Sequence, residues 1–233
     1  MRYCQFNPDI VPLSQQTFVE LLLNCKDFTK SDRLLGSSKG RGTTWFINTM
    51  EELGVNSVLR HYYRGGLFGK LVKDRYFFTT NQNTRAVQEF NLLEQLVQWE
   101  LPVPRPIACQ ITRQFFCYQA DILLEKIANT QDLSQYLQNN RLTPQQYQKI
   151  GGLIRQLHDH QVHHSDLNIH NILLDDQGKF WLIDFDKCKI QPGCRWKQQN
   201  LERLHRSFLK EKTRLGILFN EQDWQMLLEG YAK

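Results

Sequence analysis

The stretch His163-His164-Ser165-Asp166-Leu167-Asn168-Ile169-His170-Asn171 holds the pattern H-x-D-L-x-x-x-N. Two apolar runs follow it, Ile172-Leu173-Leu174 and Phe180-Trp181-Leu182-Ile183, and then Asp184-Phe185-Asp186. A polar segment from Asp175 to Lys179, centred on Gln177-Gly178, separates the runs, so they are expected to pair as an antiparallel hairpin. Counted outward from that turn, Asn171 opens the first strand and Asp184 closes the second. This predicts the two side by side, roughly 5 Å apart at the backbone. Asp166 lies in the loop just before. A free carboxylate, a carboxamide and a second carboxylate at one hairpin end suit phosphoryl transfer. Mg²⁺ prefers hard oxygen ligands, which Asn171 and Asp184 supply, and it bridges nucleotide phosphates. Asp166 then accepts the proton of the attacking hydroxyl, or orients it, while metal and phosphates carry most of the electrostatic load. At ordinary residue frequencies the spacing arises by chance in roughly one chain per thousand, and the D-F pair makes it far rarer still.

The elements around this motif divide the chain in two. Residues 31–80 are rich in Gly, Thr, Tyr, Phe and Val, with glycine turns at Gly40–Gly42 and Gly65-Gly66, and read as antiparallel strands. Val87, Phe90, Leu93 and Val97 recur at helical spacing and predict a helix from about Thr84 to Trp99. Pro102, Pro104 and Pro106 stop it and force an extended segment. Two further strands are expected between Ile111 and Leu124, and mostly helix from about Asp132 onward. Thr143-Pro144-Gln145-Gln146 is a capping box with proline at the first helical position. The expected fold is α+β and bilobal: a strand-rich lobe over residues 1–126 with one main helix, a hinge near 124–129, and a reduced helical lobe over 127–233. A ligand cleft is expected between such lobes.

Bulk properties narrow the class. The chain has 233 residues, 41% of them apolar and 23% charged, which excludes a disordered chain or a collagen-like fibre and allows a sizeable core. MRYCQFNPDI carries no apolar h-region, so no cleaved secretion signal is expected. The six cysteines form no C-x-x-C and are expected as free thiols; a Cys188–Cys194 pair is the alternative. Net charge is +5, and nine basic against two acidic residues between Lys187 and Arg214 give that segment alone +7. Such a face is either solvated surface or a dock for an anionic partner. Five histidines (His158, His160, His163, His164 and His170) raise the alternative of a zinc site. His158 and His160, however, point about 200° apart on a helix, and packing around the motif is the expected role.

These motifs resemble the protein-kinase-like signature set, and the resemblance implies further parts upstream. The loop from Leu35 to Thr43, with Gly40 and Gly42, matches the phosphate-covering loop without forming a clean G-x-G-x-x-G. Val58-Leu59-Arg60 takes the place of V-A-I-K, with Arg60 where lysine is usual; Lys70 and Lys73 are the alternatives. Glu89 on the long helix is the implied partner of that cation, with Glu94 as the rival. Glu125, in Leu124-Glu125-Lys126-Ile127, lies where backbone groups would meet adenine. Asp186 replaces the glycine of D-F-G. After Asp186 only 47 residues remain and there is no A-P-E triplet, which favours a small or saccharide acceptor over a protein.

The segments Gly40–Phe46, Val58–Gly66 and Leu101–Pro106, with the Asp166 and Asp184 motifs, are closer still to the lipopolysaccharide-core kinase family, over about residues 30–215. The segments look like those of members acting on 3-deoxy-D-manno-octulosonic acid (Kdo). This resemblance implies transfer of the ATP γ-phosphate to the 4-hydroxyl of Kdo on a lipid A precursor. It also implies Mg²⁺ as the metal and a peripheral site on the cytoplasmic face of the bacterial inner membrane, with no nucleic-acid partner. Asp166 is then the catalytic base, Asp184 the metal ligand and Asn171 its helper. The basic Lys187–Arg214 face would meet the anionic membrane. A kinase for heptose, an aminoglycoside-like substrate or a protein, and an inactive kinase-fold binding module, are the alternatives.

Overall fold

Seven antiparallel strands make the main sheet among the described residues, which are 1–40, 42–65 and 73–233 of a computed structural model. Contacts divide the chain into two compact units: Met1–Glu94 with Pro104–Ile127, and Gln95–Val103 with Ala128–Lys233.

The first unit holds that sheet, in the order β1 (Arg2–Phe6), β6 (Pro106–Gln114), β7 (Cys117–Glu125), β4 (Ser57–His61), β3 (Thr43–Ile47) and β2 (Leu34–Lys39), with β5 (Tyr76–Phe77) on β7. β3 (Thr43-Thr44-Trp45-Phe46-Ile47) is built of β-branched and aromatic residues that fit a pleated, half-buried surface. Proline opens β6, the position where its missing N–H costs least. An N-terminal helix, α1 (Gln16–Asn24), was not expected; its Val19, Leu22 and Leu23 join Ile47, Leu59, Ile107 and Leu123 in one core. A short α2 (Met50–Leu53) follows β3. The long helix α3 (Arg85–Gln98) lies within one residue of the expected span and buries Ala86, Val87, Phe90, Leu93 and Leu96. Leu59 joins the α1-side core, so strand alternation aims Arg60 at the other face.

The second unit is mostly helical: α4 (Leu133–Asn139), α5 (Pro144–Asp159), α6 (Arg195–Leu215) and α7 (Glu221–Ala232). The expected capping box is present, with Thr143 Oγ1 accepting from Gln146 N–H and Gln146 Oε1 from Thr143 N–H. α5 and α7 approach so closely that a Cβ on Gly151 would lie 1.9 Å from the Leu227 carbonyl oxygen, and one on Gly230 2.0 Å from that of Gln148. Glycine's helix-weakening cost of about 0.5–1 kcal/mol is offset here by backbone contact. The hairpin is β10 (Ile172–Asp175) and β11 (Phe180–Leu182), with β8 (Thr130–Asp132) on its outer side. Asp175 organises its turn: Oδ1 accepts the N–H groups of Gln177 and Lys179, and Oδ2 accepts Trp181 Nε1–H at 2.9 Å. β9 (Val162–His163) pairs with β12 (Lys189–Ile190). Among the described residues no helix is long and apolar enough to cross a membrane.

Candidate active site

The loop from His164 to Asn171 runs from β9 into β10 and closes in a 3-10 turn at Ile169–Asn171. Its backbone is tied by short-range bonds. Asn168 Nδ2 donates to the Asp166 carbonyl at 2.9 Å, while its Oδ1 caps the 3-10 turn by accepting from His170 N–H. Asn171 Nδ2 donates to the same Asp166 carbonyl at 2.9 Å. Because a carbonyl can only accept, that bond fixes the amide and leaves Asn171 Oδ1 as its ligand-capable atom.

The expected pairing of Asn171 with Asp184 is corrected by one residue. Ile172 faces Leu182, and Ile183 N–H donates to the Asn171 carbonyl at 3.0 Å, so Ile183 and not Asp184 sits opposite Asn171. Asp184 lies one step beyond the ladder, in a left-handed conformation with φ 63°. Aspartate tolerates that region better than most residues, and such backbone is concentrated at functional sites. Phe185, fully buried, meets the His164 ring edge-on with centroids 4.9 Å apart.

His164 ties the Asp166 backbone to that of Ile183, the residue before Asp184. Its Nε2–H donates to the Ile183 carbonyl at 3.1 Å and its Nδ1 accepts Asp166 N–H at 3.3 Å, a pattern only the neutral ring can make. Burial lowers its pKa; the Ile183 carbonyl, Asp184 and Asp166 act in the opposite sense. Cys188 is a buried thiol beneath the loop, accepting from Ser165 N–H, and all six cysteines are free.

The largest feature not legible from the motif is the grip of α6 on this loop. Four positions on one helix face each hold a different residue of it. Asn200 bonds both backbone groups of His164, at 3.3 and 3.0 Å. Arg203 Nη2 meets Asp166 Oδ1. Ser207 Oγ accepts Ile169 N–H at 3.0 Å, and the buried Glu211 reaches His170 Nε2 at 3.3 Å. The spacing is three, four and four residues, that of a single helical stripe. The only hint in the sequence was a polar stripe at this period inside the basic segment.

Each histidine has a protein partner. His158 is buried, with Nε2 toward Asn200 Oδ1 at 3.4 Å and Nδ1 toward the Tyr231 hydroxyl at 2.9 Å. His160 stacks on Trp99, His163 meets Trp196 edge-on, and His170 Nδ1 bonds Asp132 Oδ2 at 3.0 Å. Among the described residues no group of three or more His, Cys, Asp or Glu is placed to hold a metal ion. Burial lowers the His158 pKa from 6.5 to about 4. Its stabilising effect is therefore complete above pH 6.5 and lost as pH falls toward 4, because the unfolded chain takes up the proton first. Thermal unfolding is expected to shift to lower temperature across that window, and His158→Gln should flatten the slope; an unchanged slope contradicts this.

In the first unit Arg60 and Glu89 are joined. Arg60 Nη2 lies 2.5 and 2.6 Å from the two Glu89 oxygens, and the Tyr62 hydroxyl donates to Glu89 Oε2 at 2.6 Å. Glu89 is 1% exposed. Glu94 is not in this pair; burial and Asp9 raise its carboxyl pKa. Lys73 is exposed, and Lys70 and Arg41 lie outside the described residues. Gly42 packs against the Tyr63 ring, where a Cβ would come within 1.9 Å of a ring carbon, while Gly40 faces open space. Glu125 binds Arg105 through its side chain at 2.7 and 3.1 Å. Its backbone N–H goes to the Arg105 carbonyl and that of Lys126 to Asn56, so neither N–H is left for a base edge.

Comparison with known proteins fits these observations. The model of the Lipopolysaccharide kinase (Kdo/WaaP) family matches residues 27–231. A 3-deoxy-D-manno-octulosonic acid kinase of Mannheimia succiniciproducens is 54% identical, over 97% of this chain and 94% of its own length. Those of Pasteurella multocida and Photobacterium damsela subsp. piscicida are 57% and 46% identical, over 87% and 97% of this chain and 86% and 92% of their own. Among solved structures, the Cydia pomonella granulovirus kinase PK-1 aligns with 70% of this chain and 54% of its own at 13% identity and a TM-score of 0.47, a likeness too slight to carry an argument. Residues 27–231 cover the whole hairpin and the His164–Asn171 loop, and with relatives this similar along nearly their full length the chain belongs to the lipopolysaccharide kinase (Kdo/WaaP) family.

Proposed function

We propose that this chain transfers the γ-phosphate of ATP to the 4-hydroxyl of a Kdo residue on a lipid A precursor. The observation that carries the reading is the placement of Asp166, Asn171 and Asp184 around one hairpin end, in a chain of this family. The half-exposed Asp166 accepts the hydroxyl proton as the acceptor oxygen bonds to phosphorus and the bond to ADP breaks. The neutral His164 and the amides of Asn168 and Asn171 hold its backbone in place. Arg60, locked by Glu89 and Tyr62, is the cation for the nucleotide phosphates. Glycine backbone at Gly40 leaves room for a phosphate to approach, and the region of Glu125 is assigned to the base, through carbonyls rather than the N–H groups of Glu125 and Lys126.

The donor set fits magnesium. Asn171 Oδ1 and the Asp184 carboxylate are hard oxygens, and the Asn171 amide is already oriented for the task. Mg²⁺ held by these two residues would neutralise charge on the nucleotide phosphates.

The site of action is the cytoplasmic face of the inner membrane, with the chain bound peripherally. Of the nine basic residues between Lys187 and Arg214, all but Lys197 are exposed. Each such charge near an anionic leaflet contributes about 1 kcal/mol. Reversing Arg206, Lys210 and Arg214 to Glu is expected to abolish co-sedimentation with anionic vesicles; unchanged binding rejects the membrane role.

The reaction is tested by offering the purified protein ATP and Mg²⁺ with a Kdo–lipid A precursor, a heptose-bearing core or a protein substrate. Mass spectrometry is expected to find one added phosphate on the Kdo acceptor. Phosphate on heptose or protein, and none on Kdo, rejects the reading.

A further inference from the structure

We propose that Arg203 is the residue that binds the carboxylate of the acid-sugar acceptor, and so selects an anionic sugar over a neutral one. This rests on the reading of the chain as a kinase of Kdo.

Of the four residues in the α6 stripe, three bond backbone or a neighbouring side chain of the loop: Asn200, Ser207 and Glu211. Arg203 alone takes the reacting group, Asp166 Oδ1. Both side chains are open to solvent, Arg203 at 48% and Asp166 at 43%, so the pair contributes little to folding. It also occupies one of the two oxygens that an attacking hydroxyl could use. A competing anion beside the hydroxyl opens the contact at least cost and leaves both oxygens to the hydroxyl. An octulosonic acid carries such an anion on the same ring system as the hydroxyl that reacts. A guanidinium fork matches a carboxylate in plane and in charge. Arg203 therefore exchanges one carboxylate for another, releasing Asp166 Oδ1 when the correct acceptor arrives. The surroundings suit an incoming anion. Lys189 stands exposed on β12, across from His163, and burial together with Lys189 and Arg203 disfavours a third positive charge on that ring. Among the described residues Asp166 is the one carboxylate paired with Arg203.

The experiment compares two acceptors, the Kdo–lipid A precursor and the same molecule with the Kdo carboxylate as its methyl ester. The wild-type chain is expected to prefer the acid by about ten- to a hundredfold in kcat/KM. In Arg203→Ala the KM for the acid rises by a similar factor and the preference falls to near one, with the KM for ATP unchanged. Arg203→Lys restores part of the preference, since it keeps the charge without the fork. An Arg203→Ala chain that keeps the wild-type preference overturns the proposal while leaving the kinase reading intact. So does one in which ATP affinity and melting temperature fall with transfer, because that marks a structural role. A wild-type chain that phosphorylates neither acceptor overturns the functional reading and this inference with it.

Discussion

Asp166→Ala is expected to lower kcat for phosphate transfer by about a thousandfold, the central value for loss of a positioned general base. Nucleotide affinity should change little, because the ligand-capable Asn171 Oδ1 and the carboxylate of Asp184 are untouched. The loop should also survive. What fastens it is the Asp166 backbone, whose carbonyl accepts from Asn168 and Asn171 and whose N–H donates to His164. None of these bonds uses the side chain that alanine removes. The side chain's own ion pair with Arg203 is half-exposed, worth about 0–1 kcal/mol. Steady-state kinetics, calorimetric ATP titration and a melting curve check all three statements. A chain that loses ATP binding or folding instead contradicts the role assigned to Asp166.

The second large effect concerns stability. Glu89 is 1% exposed and Arg60 23% exposed, and Tyr62 completes the cluster. Glu89→Ala removes the carboxylate from a guanidinium held mostly away from water. Breaking a buried pair by deleting one partner costs about 3–5 kcal/mol, far more than an exposed pair. For a domain of this size that is a fall in melting temperature on the order of 10 °C. The KM for ATP should rise as well, since Arg60 loses the contact that aims it. Arg60→Lys is expected to be milder in stability than Glu89→Ala, because it keeps a charge opposite Glu89 and loses only the fork. Melting curves with ATP kinetics decide the point. A Glu89→Ala chain as stable as the wild type would mean the pair is not held as tightly as its 2.5 and 2.6 Å contacts indicate.

Local signals in the sequence carried well. The capping box at Thr143, the helix ending near Trp99 and the hairpin turn at Gln177-Gly178 depend on neighbours a few residues apart, and each forms in the structure. The register of that hairpin did not. Counting outward from Gln177-Gly178 assumes a two-residue turn, whereas Asp175 pairs with Lys179 around a three-residue loop whose last residue, Gly178, is left-handed. The odd loop shifts every pair by one, so Leu174 faces Phe180 and Ile172 faces Leu182. Non-local pairing was also illegible. β1 joins β6 across about a hundred residues of chain, and nothing in Arg2–Phe6 names that partner. The α6 stripe was hidden for a different reason. Helical periodicity is read from apolar residues, whereas the residues that hold the His164–Asn171 loop are Asn, Arg, Ser and Glu in a segment dominated by charge. The Arg60–Glu89 contact was expected only through family resemblance, because no spacing rule links a strand to a helix 29 residues later.

The central claim is that the acceptor is the Kdo sugar and that its 4-oxygen attacks phosphorus. Position-resolved NMR of the purified product, following phosphorus–proton coupling around the sugar ring, tests it most directly. The account predicts a phosphate monoester on the 4-oxygen of Kdo. Phosphate released only as the free ion, or attached at any other position, would contradict it.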